Sequence, residues 1–549
     1  MPGLAEAFER IGTSVERHLP VSHAGGLALA VTDREEILGV VVRGFADVAS
    51  GAPVRPETRF QIGSISKSFA SIVLLQEMEA ERVDLHVSVN EVLPWLELPE
   101  PFGPITLHHL LQHTSGLATG TEDAPTGPGA LWRLRDLPPT FPPGERFWYS
   151  NDGYKIVGAV LEHVTGTPIH DLLRERIFDP LGMASTTAAI TDAVRTEQAT
   201  GYAPIFTDRP PQLHHPLVPA TWIVSNTADG SIVSNVIDVC AYARMLLRRG
   251  AVRRSGERLL SDEAFDAVTS GGHDFGEGEP YAYGLWETSV DGRRWVAHTG
   301  GMVGFTAFLA TSPDEGLACV ALQNGSGGKR ELVRHAFSAV RSVLAGDAPP
   351  DAWTPPPPPT IPGAEAYAGR YADGDGRVLD VATEGEGLRV VLDGLRVEAH
   401  RDPLRDEPSD AFALPHPDLE RFLLRFGRDA DGDVVEAFHG NAWFRGERYA
   451  GEEPAEPPPG WLGRVGLYRS NDPWGPTIRI TLRKGRLVIG FPVEAGDEEG
   501  EAELIPLDDG SFAAGEPWHP RRVRFEGEIE GRAVAVVFNG GYWYRSFEE

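Results

Sequence analysis

Residues Pro355-Pro356-Pro357-Pro358-Pro359 form an unbroken proline run. Each proline lacks a backbone N–H and fixes φ, so the run can enter neither a helix interior nor a central strand. It should adopt extended polyproline II and act as a stiff spacer. A linker is therefore expected at 351–362, closing a first domain over 1–350. A chain of 549 residues is in any case longer than one core usually serves. Beyond the run the sequence turns to short strands and glycine turns, and it repeats itself. Tyr367-Ala368-Gly369-Arg370-Tyr371 is echoed by Arg464-Val465-Gly466-Leu467-Tyr468, and Phe438-His439-Gly440-Asn441-Ala442-Trp443-Phe444-Arg445 by Phe538-Asn539-Gly540-Gly541-Tyr542-Trp543-Tyr544-Arg545. A second proline stretch, Pro457-Pro458-Pro459, marks another linker at 451–461. The units 363–450 and 462–549 are each roughly ninety residues, enough for a small antiparallel β-barrel whose closure removes exposed strand edges. Asp429-Ala430-Asp431-Gly432-Asp433 resembles part of a calcium loop, but its glycine is misplaced and no distal glutamate follows. A tight hairpin turn is expected there.

The first domain reads differently. An amphipathic helix is expected over about 4–18. Strands follow at Leu27–Val31 and Ile37–Val42, then a mainly helical block from about 66 to 250. Within that block the spacing predicts helices over 105–117, capped by Thr106 and stopped at Gly116, over 153–165, and from Asn235 to Gly250. Strand character returns at Trp295–Thr299, Thr306–Ala310 and Leu317–Leu322, with a helix over 329–344. Strands at both ends of the domain can pair into one sheet with the helices beside it. The predicted class is thus α+β: an antiparallel sheet flanked by helices, followed by two small antiparallel β-barrels.

Hydrophobic residues at 41% fit a globular protein, and no apolar run is long enough to span a membrane. A net charge of -30 argues against nucleic acid and anionic membrane surfaces as partners. The N-terminus is acidic and amphipathic and lacks the basic-then-apolar pattern of a secretory signal, so a cytoplasmic location is expected. Cys240 and Cys319 lie in apolar surroundings and read as free core thiols.

Chemistry concentrates in three stretches. In Gly63-Ser64-Ile65-Ser66-Lys67 a hydroxyl and an amine stand three residues apart, on one face of a helical turn. A serine attacks only if its proton has an acceptor, and a desolvated amine can be one. Tyr149-Ser150-Asn151 follows a proline–glycine loop and precedes a helix. A phenol beside cations can have its pKa lowered enough to exchange protons, and an asparagine offers both a donor and an acceptor to an amide. His298-Thr299-Gly300-Gly301 lies on a late strand, where His298 and Thr299 can project polar groups and the glycines allow a substrate close approach. His109 and His113 invite a metal reading, but no acidic residue stands between them as in a zinc-protease helix. Nor is Ser64 framed as Gly-x-Ser-x-Gly, the mark of a nucleophile elbow.

Together with Gly44-Phe45-Ala46-Asp47, His113-Thr114-Ser115-Gly116-Leu117 and Pro180-Leu181-Gly182-Met183, these stretches resemble the serine β-lactamase and penicillin-binding-protein superfamily over about residues 10–345. The branch is that of class C β-lactamases, DD-carboxypeptidases, D-aminopeptidases and related esterases. The resemblance implies Ser64 as acylated nucleophile, Lys67 as its activator and Tyr149 as proton donor to the leaving group. It implies an oxyanion hole from the amides of Ser64 and Gly301, with Asn151, His298, Thr299 and Gly300 holding substrate. It implies no metal and no organic cofactor. It also implies a small-molecule or peptide substrate, and it leaves a homo-oligomer open. The lactamases of this branch usually carry lysine where His298 stands, so a peptidase or esterase is expected before a β-lactamase. The tail resembles the two lipocalin-like barrels of D-aminopeptidase-like members, in which a barrel loop can reach the active site. The turns Pro473–Pro476 and Ala495–Gly500 are the candidates. The main expectation is a serine hydrolase acting on small amides, D-residue peptides or esters. The alternatives are an acyltransferase or peptide cyclase using the same acyl-enzyme, and a non-catalytic protein whose barrels hold an apolar ligand.

Overall fold

A computed structural model describes residues 2–118, 127–253, 256–276, 278–405, 409–451, 453–454, 456–492 and 500–547. The chain divides into two compact units, Met1–Ala203 with Leu217–Thr354, and Pro204–Pro216 with Pro355–Glu549. The division is not linear. Segment 204–216 lies within the span read as one domain from the sequence, yet it packs with the C-terminal unit.

The first unit is built on an antiparallel sheet of nine strands. Their order is Ala52–Pro53, Ile37–Asp47, Ala24–Thr32, Leu317–Gly325, Phe305–Ser312, Arg293–Met302, Trp286–Val290, Pro280–Tyr281 and His273–Asp274. First and last parts of the unit meet where Ala24–Thr32 pairs with Leu317–Gly325. The central strands are buried on both faces, and their alternation serves two cores. Ala28, Ala30, Leu309, Val320 and Leu322 face one core. Leu27, Leu29, Val31, Phe308, Ala310 and Cys319 face the other. Helices Pro2–His18 and Arg330–Leu344 cover the second face through Ala7, Ile11, Val15, Leu332, Ala336, Phe337 and Val340. Each fully buried Val, Leu, Ile or Phe side chain among them contributes about 1.5–3 kcal/mol. The helical block covers the first face. At its centre Ser66–Glu79 is buried around nearly its whole circumference, from Ser66 and Lys67 to Leu75 and Glu77. Cys240 and Cys319 are both buried free thiols.

Local signals explain most helix limits. Ser150 Oγ accepts from Gly153 N to start Asn151–Thr165, and Gly166 ends it with φ 69°. Asn235 Oδ1 accepts from Asp238 N to start Val236–Leu247. The helix expected over 105–117 is shorter than its pattern and runs Leu107–Leu111. It stops because His113 takes a left-handed φ of 55°. That conformation is held from outside the helix, by Trp148 N donating to His113 O and Ser150 N donating to His113 Nδ1.

The C-terminal unit contains two eight-stranded antiparallel sheets, of which only the second closes. From Gly466–Arg469 to Gly541–Arg545 the strands form a full barrel, sealed where Tyr468 pairs with Arg545 and Arg469 with Tyr544. The first sheet, within 369–446, ends in the strands Leu395–Glu398 and Ala411–Phe412. Among the described residues a single bridge, His400 to Ala413, joins its ends. Closure of this unit was expected and is not reached. The edge strands are short and Pro403 between them brings no N–H to a ladder. The sequence repeat marks the last hairpin of each sheet, where Gly440 and Gly540 turn with φ 62° and 84°. Tyr468, Ile480, Ile489, Phe512, Val536 and Trp543 fill the closed barrel as a core. Asp429 to Asp433 forms the expected hairpin turn, with Asp429 N donating to Asp433 O.

Candidate active site

Ser64 lies in a single 3₁₀ turn, Gly63–Ile65, that feeds the buried helix Ser66–Glu79. The turn is fixed from several sides. Phe60–Gln61 pairs with Val233–Ser234, Ile62 N donates to Ile232 O, and Ile232 N donates to Ser66 Oγ. Gly63 has φ 54°, and a Cβ there would fall 2.5 Å from Gly301 O. A Cβ on Gly300 would fall 1.9 Å from Ile62 O. The strand Arg293–Met302 thus lies backbone to backbone against the turn that carries Ser64, at a distance only glycines allow. Gly284 packs the same way on the helix, where a Cβ would meet Ser68 N at 2.8 Å.

Lys67 is fully buried. Its Nζ lies 2.9 Å from Ser64 Oγ, 2.8 Å from Asn151 Oδ1 and 3.0 Å from Asp229 O. Two of these partners, an amide oxygen and a backbone carbonyl, only accept. They fix two of the amine's N–H groups and aim its third position at the serine. The half-buried Tyr149 ring lies 4.8 Å from Nζ, and its hydroxyl hydrogen-bonds Ser64. The expectation that nearby cations would lower this phenol's pKa is overturned. Burial dominates and raises it, despite the bond to Ser64, so the hydroxyl keeps its proton.

His298 is buried on the same side. Its ring centroid lies 6.4 Å from that of Tyr149, and its pKa is lowered to about 3 by burial first and then by the charge of Lys67. It is therefore neutral, not a cation. Its Nδ1 lies 2.5 Å from Thr299 O and its Nε2 lies 2.9 Å from the Tyr281 hydroxyl. Thr299 itself is exposed. Strand alternation places its side chain on the opposite face of the strand from that of His298 and on the same face as Gly301. Gly301 is exposed and its backbone faces Gly63.

The structure therefore brings Ser64, Lys67, Tyr149, Asn151, His298, Gly300 and Gly301 together. Three further residues stand at this site: Asp229 and Tyr281 carry no sequence signal of their own, while His113 stood out in the sequence only for a metal reading and within His113-Thr114-Ser115-Gly116-Leu117. Asp229 acts through its carbonyl, which any residue supplies. His113 stacks under Tyr149 at 4.2 Å, and burial holds its pKa well below the usual histidine range. Tyr281 sits on a two-residue strand. The other histidines of the 105–117 stretch have structural partners. His109 closes the capping box with Thr106, and His108 Nδ1 lies 2.7 Å from Tyr283 OH.

Among the described residues, His214, His215 and Glu420 of the C-terminal unit form a group with the spacing of metal ligands. Its hydrogen bonds fit a different role. Gln212 N donates to His215 Nδ1, so the proton of neutral His215 sits on Nε2, which lies 3.2 Å from Glu420 Oε2. His214 Nε2 reaches the same oxygen at 3.1 Å, and Arg209, itself paired with Asp208, takes Glu420 Oε1 at 2.9 Å. The cluster staples segment 204–216 to the barrel unit. Of the barrel turns proposed to reach an active site, Pro473–Pro476 is held by Trp543 Nε1 donating to Gly475 O, while 495–499 lie outside the described residues.

Known proteins are similar to this chain over most of its length. Penicillin-binding protein 4 of Amycolatopsis lactamdurans is 29% identical over 67% of this chain and 96% of that protein. A D-aminopeptidase of Cereibacter sphaeroides is 28% identical over 85% of this chain and 93% of that protein. The octameric penicillin-binding protein homologue of Pyrococcus abyssi superposes with a TM-score of 0.55 at 21% identity, over 80% of this chain and 98% of that one. The Beta-lactamase family model matches residues 13–341, more than half of the chain, and the protein belongs to that family.

Proposed function

We propose that the protein is a serine hydrolase that forms an acyl–Ser64 intermediate on small amides, peptides containing D-residues, or esters. The observation that carries this reading is the triple contact of Lys67. With Asn151 Oδ1 and Asp229 O each taking an N–H, the third position of Lys67 Nζ faces the Ser64 hydroxyl 2.9 Å away, and once the ammonium has given up a proton the lone pair left there receives that of Ser64 as it attacks. Tyr149, kept protonated by burial, passes its proton to the leaving amine or alkoxide, and proton exchange with Ser64 and Lys67 resets it. The amides of Ser64 and Gly301 stabilise the developing oxyanion, at a spacing set by the glycine contact of Gly63 and Gly301. Asn151 orients the substrate amide, and Gly300 leaves room for its backbone. The preference for D-residues is supported by the D-aminopeptidase relative, which aligns over most of both chains. A neutral His298 supports a peptidase or esterase before a β-lactamase.

We also propose a cytoplasmic location. Ala7, Ile11 and Val15 of the first helix are fully buried, so this stretch is part of the fold, and no described helix is long and apolar enough to cross a membrane. The domain limits 1–350, 363–450 and 462–549, with linkers 351–362 and 451–461, are proposed for the rest of the chain.

Intact-mass spectrometry after treatment with a fluorophosphonate or a penicillin tests the central reading. One adduct per chain is expected in the wild type and none in Ser64→Ala. A wild type that takes no adduct and turns over neither p-nitrophenyl esters nor D-amino-acid amides would overturn it.

A further inference from the structure

A row of aromatic rings leads away from the reactive serine, and its outer end is open. His113, Tyr281 and His298 form a buried floor. Tyr149, whose hydroxyl bonds Ser64, lies half-buried over that floor, 4.2 Å from His113 and 6.2 Å from Tyr281. Phe147 stands on the same floor, 5.7 Å from His113 and 5.6 Å from Tyr281, and it too is half-buried. Phe275 ends the row. Its ring lies 5.5 Å from Phe147 and 6.4 Å from Tyr281, is backed by Trp286 at 6.1 Å, and remains 38% exposed. Both open rings sit on fixed backbone. Phe147 is followed by Trp148, whose N donates to His113 O, and Phe275 N donates to Glu279 O within the turn between His273–Asp274 and Pro280–Tyr281. A Cβ on Gly272 would fall 1.9 Å from Tyr281 O, so a glycine is needed for that turn to close over its strand. The row carries no charge. Burial lowers the pKa of His113 and of His298 and raises that of Tyr149 and of Tyr281, so both imidazoles and both phenols are neutral. One exposed phenylalanine needs no explanation, but adjoining apolar rings left open beside a nucleophile mark a surface that something covers.

We propose that Phe147 and Phe275 form the leaving-group subsite of this hydrolase and select amides and esters whose leaving amine or alcohol carries an aromatic group. The proposal rests on the acyl–Ser64 reading, in which Tyr149 gives its proton to the leaving atom. Whatever is bonded to that atom extends from the phenol, and among the described residues Phe147 and Phe275 are the open rings that continue from it. A planar ring laid against them gains edge-to-face or offset contact and leaves water. A charged group on the same surface would lose its water without gaining a partner. Phe147 and Phe275 act by contact with the departing group and take part in no proton transfer.

The test measures kcat/KM of the full chain for D-alaninamide and D-alanine benzylamide, and repeats the comparison with the ethyl and benzyl esters of D-alanine. Each pair shares its acyl group and releases leaving groups of similar basicity, so a difference within a pair reports what the leaving group touches. The wild type should favour the benzyl member by about tenfold or more. In Phe275→Ala that ratio should fall about fivefold, and Phe275→Trp, which restores a ring, should keep it. D-Phenylalaninamide against D-alaninamide moves the ring to the acyl side, and this second ratio should change by less than about twofold in Phe275→Ala. Both readouts are ratios and do not depend on how much of a variant is folded. In an active wild type, the absence of a benzyl preference overturns this proposal alone. So does a benzyl preference that survives Phe275→Ala, or a change confined to the acyl-side ratio. A wild type that forms no acyl-enzyme and turns over no amide or ester overturns the hydrolase reading and this one with it.

Discussion

The central sheet has a buried lysine on each face, and the pair separates a reactive site from a structural one. Lys67 and Lys329 are 0% and 6% exposed. Each points its ammonium at a hydroxyl and a carbonyl: Ser64 Oγ and Asp229 O for Lys67, Thr306 Oγ1 at 2.5 Å and Gly327 O at 2.8 Å for Lys329. The hydroxyls differ. Thr306 alternates with Phe305 and Ala307 along its strand and faces the second core, and its own proton goes to Gly325 O at 2.7 Å. Ser64 lies half-buried in a glycine-bounded turn with Tyr149 at hand. A lysine next to a hydroxyl therefore makes a nucleophile only where the hydroxyl's proton is free to move and substrate can reach it. The staple of the barrel unit is a third arrangement, in which one carboxylate gathers several partners: Arg209, itself paired with Asp208, and the ring nitrogens of His214 and His215 all meet Glu420.

The comparison breaks first, if it breaks, on activity. Lys67→Met should lower kcat/KM by about a thousandfold or more, since a base that activates the nucleophile is lost. Lys329→Met should leave it within about threefold, because nothing on its face touches the acyl group. Equal losses in steady-state assays of the two variants would erase the distinction. The compensated cluster comes next. Glu420→Gln takes one of the two carboxylates from the largely buried Arg209 and weakens the acceptor of the buried His215, and should cost about 3 kcal/mol in urea unfolding of the full chain. No measurable cost would mean that the staple is decoration.

The smallest effect sharpens the contrast by pH. Burial lowers the pKa of Lys329 to about 7, whereas an unfolded lysine titrates near 10.4. Between these values the unfolded chain binds the extra proton, so stability from this group is full above the unfolded value and is lost as pH falls toward 7. Lys329→Met should therefore stabilise the protein by about 2 kcal/mol near pH 6 and by almost nothing near pH 10. A gain independent of pH would point to packing instead of charge.

What could be read from the sequence follows from how local each signal is. Ser64 with Lys67, Tyr149 with Asn151, and His298 with its glycines are short patterns whose spacing has a physical reason, and the fold gathers them. The pairing of the two ends of the domain into one sheet was legible from the strand character of Leu27–Val31 and Leu317–Leu322. Other features depend on partners far along the chain. The helix end at His113 is set by Trp148 and Ser150, and the role of Asp229 lies in a carbonyl with no residue identity. Tyr281 meets His298 from a strand too short to show a period. The open edge of the first tail sheet lies at the short strands Leu395–Glu398 and Ala411–Phe412, where the repeat that suggested closure is silent.

The proline run is a seam in the gene more than in the molecule. Because 204–216 packs into the C-terminal unit, the polypeptide passes between units at residues 203, 216 and 354. A shortened protein ending at Thr354 would carry a tether with nothing to hold, and a transplanted tail would arrive without the piece its Glu420 grips. During synthesis, Arg209, His214 and His215 leave the ribosome about two hundred residues ahead of Glu420 and must wait for it. Recombination at the prolines alone would thus separate parts that were built to be inherited together.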